Sequence, residues 1–391
     1  MSSEHTYVKA PGKLITPTTV ILALIVATGF SIIGYRLVFG LGVISNLSDG
    51  YPWGVWLAYD VAAGSAFACG GYSVAILCYI FNGWKYHPMI RSALVTSFFG
   101  YALAGLSVMV DIGRYWNAYG FMMPSRWQTN SVLFEVAVCI MGYTVVLLIE
   151  FMPSALETLR ELKPNSFIKK LADFTAPKLD KVLMFFVVLG MTLPTMHQSS
   201  LGTLFVITGQ QLHPLWQTNL LPLLFVSNAI LLGFAVTLFE SGLSAAGFKR
   251  PFEAEAFGVA KVVPIVGFFW LAVRFGDLIY RGHILTAFTP SFHMVIFWIE
   301  TLLITAPIFI FLGKLNPRKL FYTALLLTLG GGMYRIDVYL VGFNPGDNWY
   351  AYFPSIPEAL ITFGFIALEV LAYIVLARLL RLLPAVHTAH N

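Results

Sequence analysis

Ten apolar segments, each long enough to cross a lipid bilayer, constrain this chain more than any other feature. About 20 consecutive apolar residues are needed to cross the hydrocarbon layer as an α-helix. Because a bilayer offers the backbone no hydrogen-bond partners, such long apolar segments must cross it as helices. The sequence therefore predicts an all-α integral membrane protein with about ten transmembrane helices. The ten segments span residues 17–39, 54–81, 90–111, 129–153, 181–207, 219–240, 260–281, 291–313, 319–342 and 357–383.

The composition excludes a soluble globular protein. Of the 391 residues, 58% are hydrophobic and only 11% are charged, whereas about 25% charged residues is typical of soluble domains. No loop is long enough to form a separate domain, so we expect residues 1–391 to form a single polytopic membrane domain. No cleavage site for a signal peptidase follows the first apolar segment, which we therefore expect to be a retained helix.

The cysteines and histidines bear on metal binding. Cys69, Cys78 and Cys139 all lie inside apolar segments and show no CxxC spacing. Iron–sulfur and structural zinc sites need clustered thiolates or imidazoles, so we expect no metal site in this chain. A b-type haem needs axial ligands such as paired histidines. Only His197, and His293 near a segment boundary, are placed for that role, which leaves room for at most one haem.

The lysines and arginines predict the orientation in the membrane. All but six of the 24 fall in the two termini or in loops that follow even-numbered segments. Loops rich in Lys and Arg remain in the cytoplasm, so both termini are expected to be cytoplasmic. The six remaining basic residues are expected near the outer ends of helices; they are Arg36, Arg114, Arg126, Arg274, Arg281 and Arg335.

Aspartates accompany several of these outer arginines. Asp111 precedes Arg114 by three residues, and Asp277 lies between Arg274 and Arg281. Separations of three and four residues place both partners on one face of a helix. The pairs either join helix ends to loops or form a docking surface or ligand mouth on the outer face. The sequence is compatible with both interpretations.

A second group of polar residues lies deeper in the membrane. Asp60, Tyr101, Glu135 and His197 lie about 9–15 Å inside segments 2, 3, 4 and 5, counted at about 1.5 Å per residue. Ionisable groups at this depth are costly, so they indicate function by default. If these four helices form a bundle, the side chains converge on an apolar pocket with a few polar groups, the usual composition of a small-molecule site.

The residue types in this group favour proton transfer to a redox-active carbonyl. A quinone takes up two protons with two electrons, and histidine, carboxyl and phenol groups can supply them. Each residue also has a structural interpretation. His197 could bond a backbone carbonyl freed by Pro194, Glu135 could pair with an arginine, and Tyr101 could be a packing residue.

Four further carboxylates lie within segments 8 and 10 or at the cytoplasmic ends of segments 4 and 6: Glu150, Glu240, Glu300 and Glu369. A ladder of carboxylates at different depths could relay protons through the membrane. Protonated carboxyl groups could equally form hydrogen bonds between helices. Proline-interrupted helices with buried acids are also typical of secondary transporters, although no convincing inverted repeat is visible here.

Nine short motifs between residues 36 and 346 suggest a family, and the resemblance extends over about residues 12–383. They are RLVFGLG at 36–42, PWGVWLAYD at 52–60, FACGG at 67–71, DIGRYW at 111–116, NSVLFE at 130–135, LPTMHQSS at 193–200, HPLW at 213–216, RFGDLIYR at 274–281 and FNPG at 343–346. Together they resemble the NrfD/PsrC-type membrane subunits of respiratory oxidoreductases.

The resemblance implies a fold and a function. It implies two four-helix bundles, at 54–207 (helices 2–5) and 219–342 (helices 6–9), with one flanking helix on each side. Subunits of this type hold no redox metal, and they exchange electrons between an iron–sulfur protein on the outer face and a membrane quinone. The implied partners are a periplasmic ferredoxin-like iron–sulfur subunit and the small and large subunits of a [NiFe] hydrogenase. The implied location is the bacterial inner membrane, and the quinone is menaquinone or ubiquinone.

These inferences assign roles to individual residues. His197, Glu135 and Tyr101 are predicted to protonate or hydrogen-bond the quinone. A second set is predicted to bind it or line its approach: Asp60, Asp111, Arg114, Trp116 and Gln198. Glu150, Glu240, Glu300 and Glu369 are predicted to form a proton path. A passive membrane anchor, a b-type cytochrome subunit and a secondary transporter remain the alternatives.

Overall fold

The computed structural model describes residues 7–51, 53–161, 167–346 and 352–385. Within these residues, ten helices are long and apolar enough to cross a membrane, as the sequence predicted. They are α1 (Pro17–Phe39), α2 (Trp56–Ile80), α3 (Trp84–Asp111), α4 (Val132–Thr158), α5 (Lys181–Ile207), α6 (Leu221–Gly247), α7 (Ala254–Tyr280), α8 (Phe292–Phe311), α9 (Pro317–Val341) and α10 (Ile356–Leu379). The helix of α4 continues to Glu161, and the helix of α5 begins at Phe167.

The two ends of the described chain meet on one side of the molecule. Strand β1 (Tyr7–Val8) pairs antiparallel with strand β2 (Leu383–Pro384). Nearby, the backbone N–H of Ala10 donates to the carbonyl of Ala377 at 2.7 Å. An even number of spanning helices requires the two ends of the chain to lie on the same side of the membrane. We call the side that carries β1 and β2 the terminal face and the opposite side the distal face.

The helices pack as two groups of four with two flanking helices. Helices α2 to α5 contact one another in chain order, and helices α6 to α9 form a second group closed by contacts between α9 and α6. The groups are joined where α6 packs on α2 and α5 and where α9 packs on α2. Helix α1 packs mainly on α10, which also contacts α3. The junction between the two groups is thus the most enclosed part of the molecule.

Helix α2 is irregular along most of its length. Trp56–Ala63 and Ile76–Ile80 adopt the wider π-helical geometry, and Ala68 and Cys69 interrupt the two α-helical stretches between them. The end of α9, Asp337–Val341, is also π-helical. A π-helical turn changes the backbone hydrogen-bonding pattern and occurs frequently at functional sites. Within a membrane such a segment is tolerated only where it is buried in protein, and Trp56–Ala63 and Asp337–Val341 are mostly buried.

Small residues let α2 and α6 approach closely. Gly233 of α6 lies against the Ser73 hydroxyl and the Cys69 carbonyl of α2, so closely that a Cβ at this position would overlap both. Close packing of glycine against a neighbouring backbone is a common means of helix association in membranes. It holds the irregular part of α2 against the second group of helices.

Gly233→Ala should therefore destabilise the protein. Overpacking a well-packed interior usually costs about 1–3 kcal/mol, so we expect an earlier thermal unfolding transition in detergent. Gly247→Ala is the matched control, because no atom lies within 4 Å of a Cβ built there. Equal transition temperatures for the two variants would contradict this account of the α2–α6 contact.

Candidate functional site

A connected polar cluster lies inside the first group of helices. His197 and Gln198 of α5 face Ser65 of α2 and Tyr101 of α3, and all four side chains are fully buried. Nε2 of His197 lies 3.1 Å from the Ser65 hydroxyl. Nε2 of Gln198 donates to the Ser65 hydroxyl at 3.0 Å and to the Tyr101 hydroxyl at 3.3 Å. The structure thus brings together three of the predicted site residues, and Ser65 joins them.

The local structure of α5 explains why these side chains point inward. The helix continues through Pro194, and hydroxyls on its polar stretch bond back to carbonyls four residues earlier, as Thr195 does to Met191 and Ser200 to Met196. The Thr195 hydroxyl also lies 2.7 Å from that of Tyr72 on α2. His197 forms its hydrogen bond with Ser65 and not with the backbone carbonyl that Pro194 leaves without a donor, so it is a member of the cluster.

Aromatic rings and a thiol enclose the Tyr101 hydroxyl. It lies 3.6 Å from Sγ of Cys69. The Tyr101 ring meets the ring of Tyr143 edge-on at 4.5 Å between centroids and that of His197 at 5.4 Å. Buried hydroxyls of this kind need partners, since an unsatisfied one costs about 1–3 kcal/mol. Tyr101 is therefore a member of the cluster rather than an isolated packing residue.

Arg335 of α9 completes the cluster from the second group of helices. Its Nη1 donates to Oε1 of Gln198 at 2.6 Å and to the Ala62 carbonyl at 2.8 Å. Its Nε donates to Oδ1 of Asn228 at 2.7 Å, and its Nη2 to the Phe225 carbonyl at 2.6 Å. From the sequence, Arg335 was expected only near the outer end of a helix. Its position several residues inside an apolar segment was the signal that it is buried.

Glu135 makes no hydrogen bond to this cluster in the described part of the chain. Its side chain on α4 is partly buried, and no ion pair to it is present among the described residues. The preceding residue, Phe134, lines a pocket on the distal face. The following residue, Val136, presents its backbone to Nδ1 of His197, although the contact does not meet hydrogen-bond geometry. On α4, Glu135 thus follows a residue that lines the distal pocket and precedes one whose backbone lies near His197.

The structure does not bring the two predicted aspartates to this cluster. Asp60 faces away from α5, and its Oδ2 accepts from the Thr362 hydroxyl of α10 at 3.1 Å. Asp111 is partly buried at the distal end of α3, close to the guanidinium of Arg36. The grouping of residues by depth alone missed this division, because depth does not show which way a side chain faces around the helix.

Arg114 and Trp116 belong to the distal surface. Both side chains are exposed in the connection between α3 and α4. Beside them lies a pocket of about 320 Å³, the distal pocket, lined by Ile112, Arg114, Asn117, Ala118, Gly120, Phe121, Arg126, Trp127 and Phe134. Residues 112–131 contain two arginines and no acidic residue. The distal surface here is therefore basic and aromatic.

The four carboxylates predicted to form a proton path lie in three separate locations. Glu240 and Glu369 face each other between α6 and α10. Glu150 lies against Gly190, between α4 and α5. Glu300 of α8 lies in the second group of helices, where Arg274 donates to its two oxygens at 2.5 and 3.2 Å and Trp216 donates at 3.0 Å. Only Glu240 and Glu369 are direct neighbours.

Acidic and hydroxyl-bearing side chains are aligned along one face of α10. Four polar side chains of α10 face the other helices: Glu358, Thr362, Glu369 and Tyr373. We use the name α10 row for these four side chains together with Asp60 of α2 and Glu240 of α6. Tyr59 lies near both Asp60 and Glu369. Glu240 accepts from the Thr96 hydroxyl at 2.7 Å and faces the hydroxyl of Tyr373. The four α10 positions cover about 22 Å along the helix axis, at about 1.5 Å per residue.

The described histidines do not fit a bis-histidine haem. His213 and His293 are stacked face to face, with ring centroids 4.2 Å apart and an angle of 13° between the planes. An iron between two axial imidazoles needs each ring to point a nitrogen at it, and stacked rings cannot do so. Burial, followed by the neighbouring His293, lowers the pKa of His213 to about 4. His197 has its Nε2 bonded to Ser65.

Comparisons with known proteins agree with this architecture. A family model described as "Polysulphide reductase, NrfD" matches residues 43–342. The chain is 43% identical over 380 residues to the "Probable Ni/Fe-hydrogenase 2 b-type cytochrome subunit" of Escherichia coli (strain K12), covering 95% of this chain and 94% of that protein.

Two more distant relatives carry other names. The chain is 34% identical over 171 residues to the "Menaquinone reductase, integral membrane subunit" of Nitratidesulfovibrio vulgaris, covering 42% of this chain and 38% of that protein. It is 22% identical over 237 residues to a selenate reductase subunit of Mesobacillus selenatarsenatis, covering 56% and 54%. With the family model matching most of the chain and one relative similar along nearly its whole length, this multi-pass membrane protein belongs to the NrfD family.

Proposed function

We propose that this chain is the quinone-reactive membrane subunit of a respiratory oxidoreductase. The observation that carries the proposal is the buried, connected set of proton donors formed by His197, Gln198, Tyr101 and Ser65. Such a set inside a membrane protein is expensive to maintain and indicates a function there. The name of one relative, a menaquinone reductase membrane subunit, supports quinone as the substrate.

The chemistry required is the delivery of two protons with two electrons. Tyr101 and His197 supply and replace protons, Gln198 orients the Tyr101 hydroxyl, and Glu135 connects His197 with the distal surface. The electrons come from the iron–sulfur clusters of a partner protein. Menaquinone or ubiquinone is the acceptor, and its ring docks beside the cluster on the α4 side, where Glu135 and Val136 lie.

The distribution of charge supports an orientation. The basic loops lie on the terminal face, so the positive-inside rule assigns that face to the cytoplasm of a bacterial inner membrane and the distal face to the periplasm. A ferredoxin-like iron–sulfur subunit then docks at the distal face. The relative named as a hydrogenase-2 subunit supports the small and large subunits of a [NiFe] hydrogenase as the catalytic partners.

The buried donors should be needed for quinone reduction and not for assembly. Tyr101→Phe removes one hydroxyl, and we expect hydrogen-dependent quinone reduction by the purified complex to fall about a hundredfold, the usual scale for loss of a general acid. His197→Leu should act in the same direction. Reduction of a water-soluble dye by the partner hydrogenase should be unchanged, because it does not use the membrane site.

Tyr143→Phe is the matched control, since it makes the same change on the neighbouring ring, whose centroid is 4.5 Å from that of Tyr101. If quinone reduction persists in Tyr101→Phe and His197→Leu, the chain is a passive anchor or the site lies elsewhere. The proposal would then fail at this cluster.

The distal arginines are suited to an acidic partner. Arg114 and Arg126 face the distal pocket, and residues 112–131 supply no carboxylate of their own. Arg126 stacks on the ring of Tyr119 at 5.1 Å, which fixes its guanidinium. Exposed aromatic and methionine side chains surround the pair, and aromatic residues with arginine are enriched at protein interfaces.

Charge reversal should therefore weaken partner docking. In Arg114→Glu with Arg126→Glu, we expect the iron–sulfur partner to dissociate during purification at a lower salt concentration than in the wild type, since exposed ion pairs are screened by salt. Arg318→Glu on the terminal face is the control. Co-purification that is equally salt-resistant in the reversed variant would contradict a docking role for this surface.

Proton supply from the terminal face is proposed along the α10 row. Glu253, in the loop before α7, lies near Glu240, and its Oε2 accepts from the Ser241 hydroxyl at 3.2 Å. Burial raises the pKa of Glu253, which brings its proton exchange closer to neutral pH. From there Glu240, Glu369 and Asp60 offer carboxyl groups at successive depths. Glu150 and Glu300, predicted for the same path, lie apart from this row.

If the row conducts protons, Glu369→Gln should slow proton uptake from the terminal side. In proteoliposomes containing the whole complex, we expect uptake coupled to quinone reduction to fall at least about tenfold. Among the described residues, Glu369 is the one carboxyl between Asp60 and Glu240, and the substitution removes it. Glu255→Gln, at the edge of α7, is the control. Unchanged proton uptake in Glu369→Gln would rule out this route while leaving the quinone site untouched.

A further inference from the structure

Three arginine side chains are buried in the described part of the chain, and they are neutralised to different degrees. Arg36, Arg274 and Arg335 are 0%, 3% and 0% exposed. Arg274 forms a two-pronged ion pair with Glu300, and Arg36 lies near Asp111. Among the described residues, Arg335 has no carboxylate beside it. All four of its hydrogen-bond partners are neutral: Asn228, Gln198 and the carbonyls of Ala62 and Phe225.

An uncompensated buried guanidinium is unusual. Arginine cannot lose its proton to escape the cost of burial, and a buried charge without a partner is strongly destabilising. The fold is arranged to lower this cost. The π-helical stretch of α2 aims the Ala62 carbonyl at Nη1, and the Phe225 ring lies 4.6 Å from the guanidinium carbon. The charge itself remains.

The hydrogen bonds from Arg335 have a defined direction. Because Nη1 donates to Oε1 of Gln198, the amide of Gln198 is oriented with Nε2 towards Tyr101 and Ser65. Ser65 accepts from Gln198, so its own O–H is free to donate to Nε2 of His197 at 3.1 Å. From this network we assign the His197 proton to Nδ1, on the side of Val136. Both proton donors are thus connected to one cation.

We propose that Arg335 is a positioning residue that stabilises negative charge on this cluster during turnover. The inference rests on the proposed function. Two electrons arrive from the iron–sulfur partner, and the quinone takes one proton for each. When Tyr101 gives up its proton, its oxygen holds the negative charge until a proton passed on through the protein replaces the one lost. Arg335, acting through Gln198, is the counter-charge for that interval, so the second group of helices supplies the electrostatics of a site in the first.

The surroundings of Tyr101 leave Arg335 as the nearest fixed charge. The titratable and charged groups that face it are Cys69 from α2, Tyr143 from α4, His197 from α5 and, beyond Gln198, Arg335 from α9. None of these is a carboxylate. A positive charge in a dry region acts over a longer range than at the surface, because water does not screen it.

A substitution of Asn228 tests this proposal without changing the side chains of the His197 cluster. Its Oδ1 accepts from Nε of Arg335, and its Nδ2 has no hydrogen-bond partner among the described residues. Asn228→Asp supplies Arg335 with a carboxylate of the same shape, without touching Gln198. Asn228→Leu is the matched control, since it removes the hydrogen bond but leaves the guanidinium charged.

With the whole complex, we expect Asn228→Asp to raise the thermal transition temperature and to slow hydrogen-dependent quinone reduction about tenfold to a hundredfold. The alkaline fall in its rate should move to higher pH, because the Tyr101 phenol then keeps its proton to higher pH. Asn228→Leu should lose thermal stability but keep the wild-type pH profile. Arg335→Lys should retain more activity than Arg335→Gln. A wild-type rate and pH profile in Asn228→Asp would overturn the proposal.

One measurement separates this inference from the proposed function. Isotope-edited infrared titration of Tyr101, labelled on its ring, reports phenol deprotonation without any quinone. In Asn228→Asp the deprotonation should occur at higher pH than in the wild type and in Asn228→Leu. If the titration shifts but Tyr101→Phe still reduces quinone, the electrostatic inference stands and the site assignment fails. If the titration does not shift, the inference fails whatever the quinone assay gives.

Discussion

The central part of the structure depends on the hydrogen bonds that the Arg335 guanidinium donates to neighbouring helices. Its donors reach α2 through Ala62, α5 through Gln198 and α6 through Asn228 and Phe225, so one side chain on α9 joins four helices. Removing it would leave several buried acceptors without partners, and each such loss costs about 1–3 kcal/mol. The same bonds orient Gln198 and, through it, Tyr101, Ser65 and His197. The assembly of the helices and the geometry of the site are therefore set together.

The surrounding membrane explains the separation of polar groups into distinct sets. Polar side chains cannot face lipid without a large penalty, so they lie between helices. The His197 cluster lies among α2, α3 and α5, the Arg274–Glu300 pair lies among α7, α8 and the loop carrying Trp216, and the α10 row lies between α10 and its neighbours. Each set makes its own hydrogen bonds. The three sets thus lie on different combinations of helices within one chain.

The irregular helices are part of the same arrangement. An ideal α2 would use the Ala62 carbonyl within its own hydrogen-bonding ladder, whereas the π-helical stretch Trp56–Ala63 presents it to Arg335. The break at Ala68 and Cys69 brings the Cys69 thiol beside Tyr101. Gly233 allows α6 to pack directly over this break. Close packing of the second group of helices thus compensates for an imperfect helix at the site.

Sequence reasoning recovered the number of spanning helices and most of their bounds, because apolar length is a property of single segments. It also singled out His197, Gln198 and Tyr101, which meet in one hydrogen-bonded cluster, since polar groups at membrane depth are recognisable without knowing the packing. It could not separate Asp60 from this cluster. Depth along the helix places Asp60 in the same half of the membrane as Tyr101, but the direction of the side chain around α2, which is not a regular helix, takes it to Thr362.

The role of Arg335 and the α10 row also required the tertiary structure. Arg335 appeared in the sequence as one of six outer arginines, and Arg274 had Asp277 as its apparent partner, yet Arg274 pairs with Glu300 and Arg335 with no carboxylate in the described chain. Local spacing reveals only partners on the same helix. The sequence alone determined that this chain crosses the membrane ten times and carries proton donors inside it. Only the packing of helices distant in sequence decided which donors meet, and which charge lies beside them.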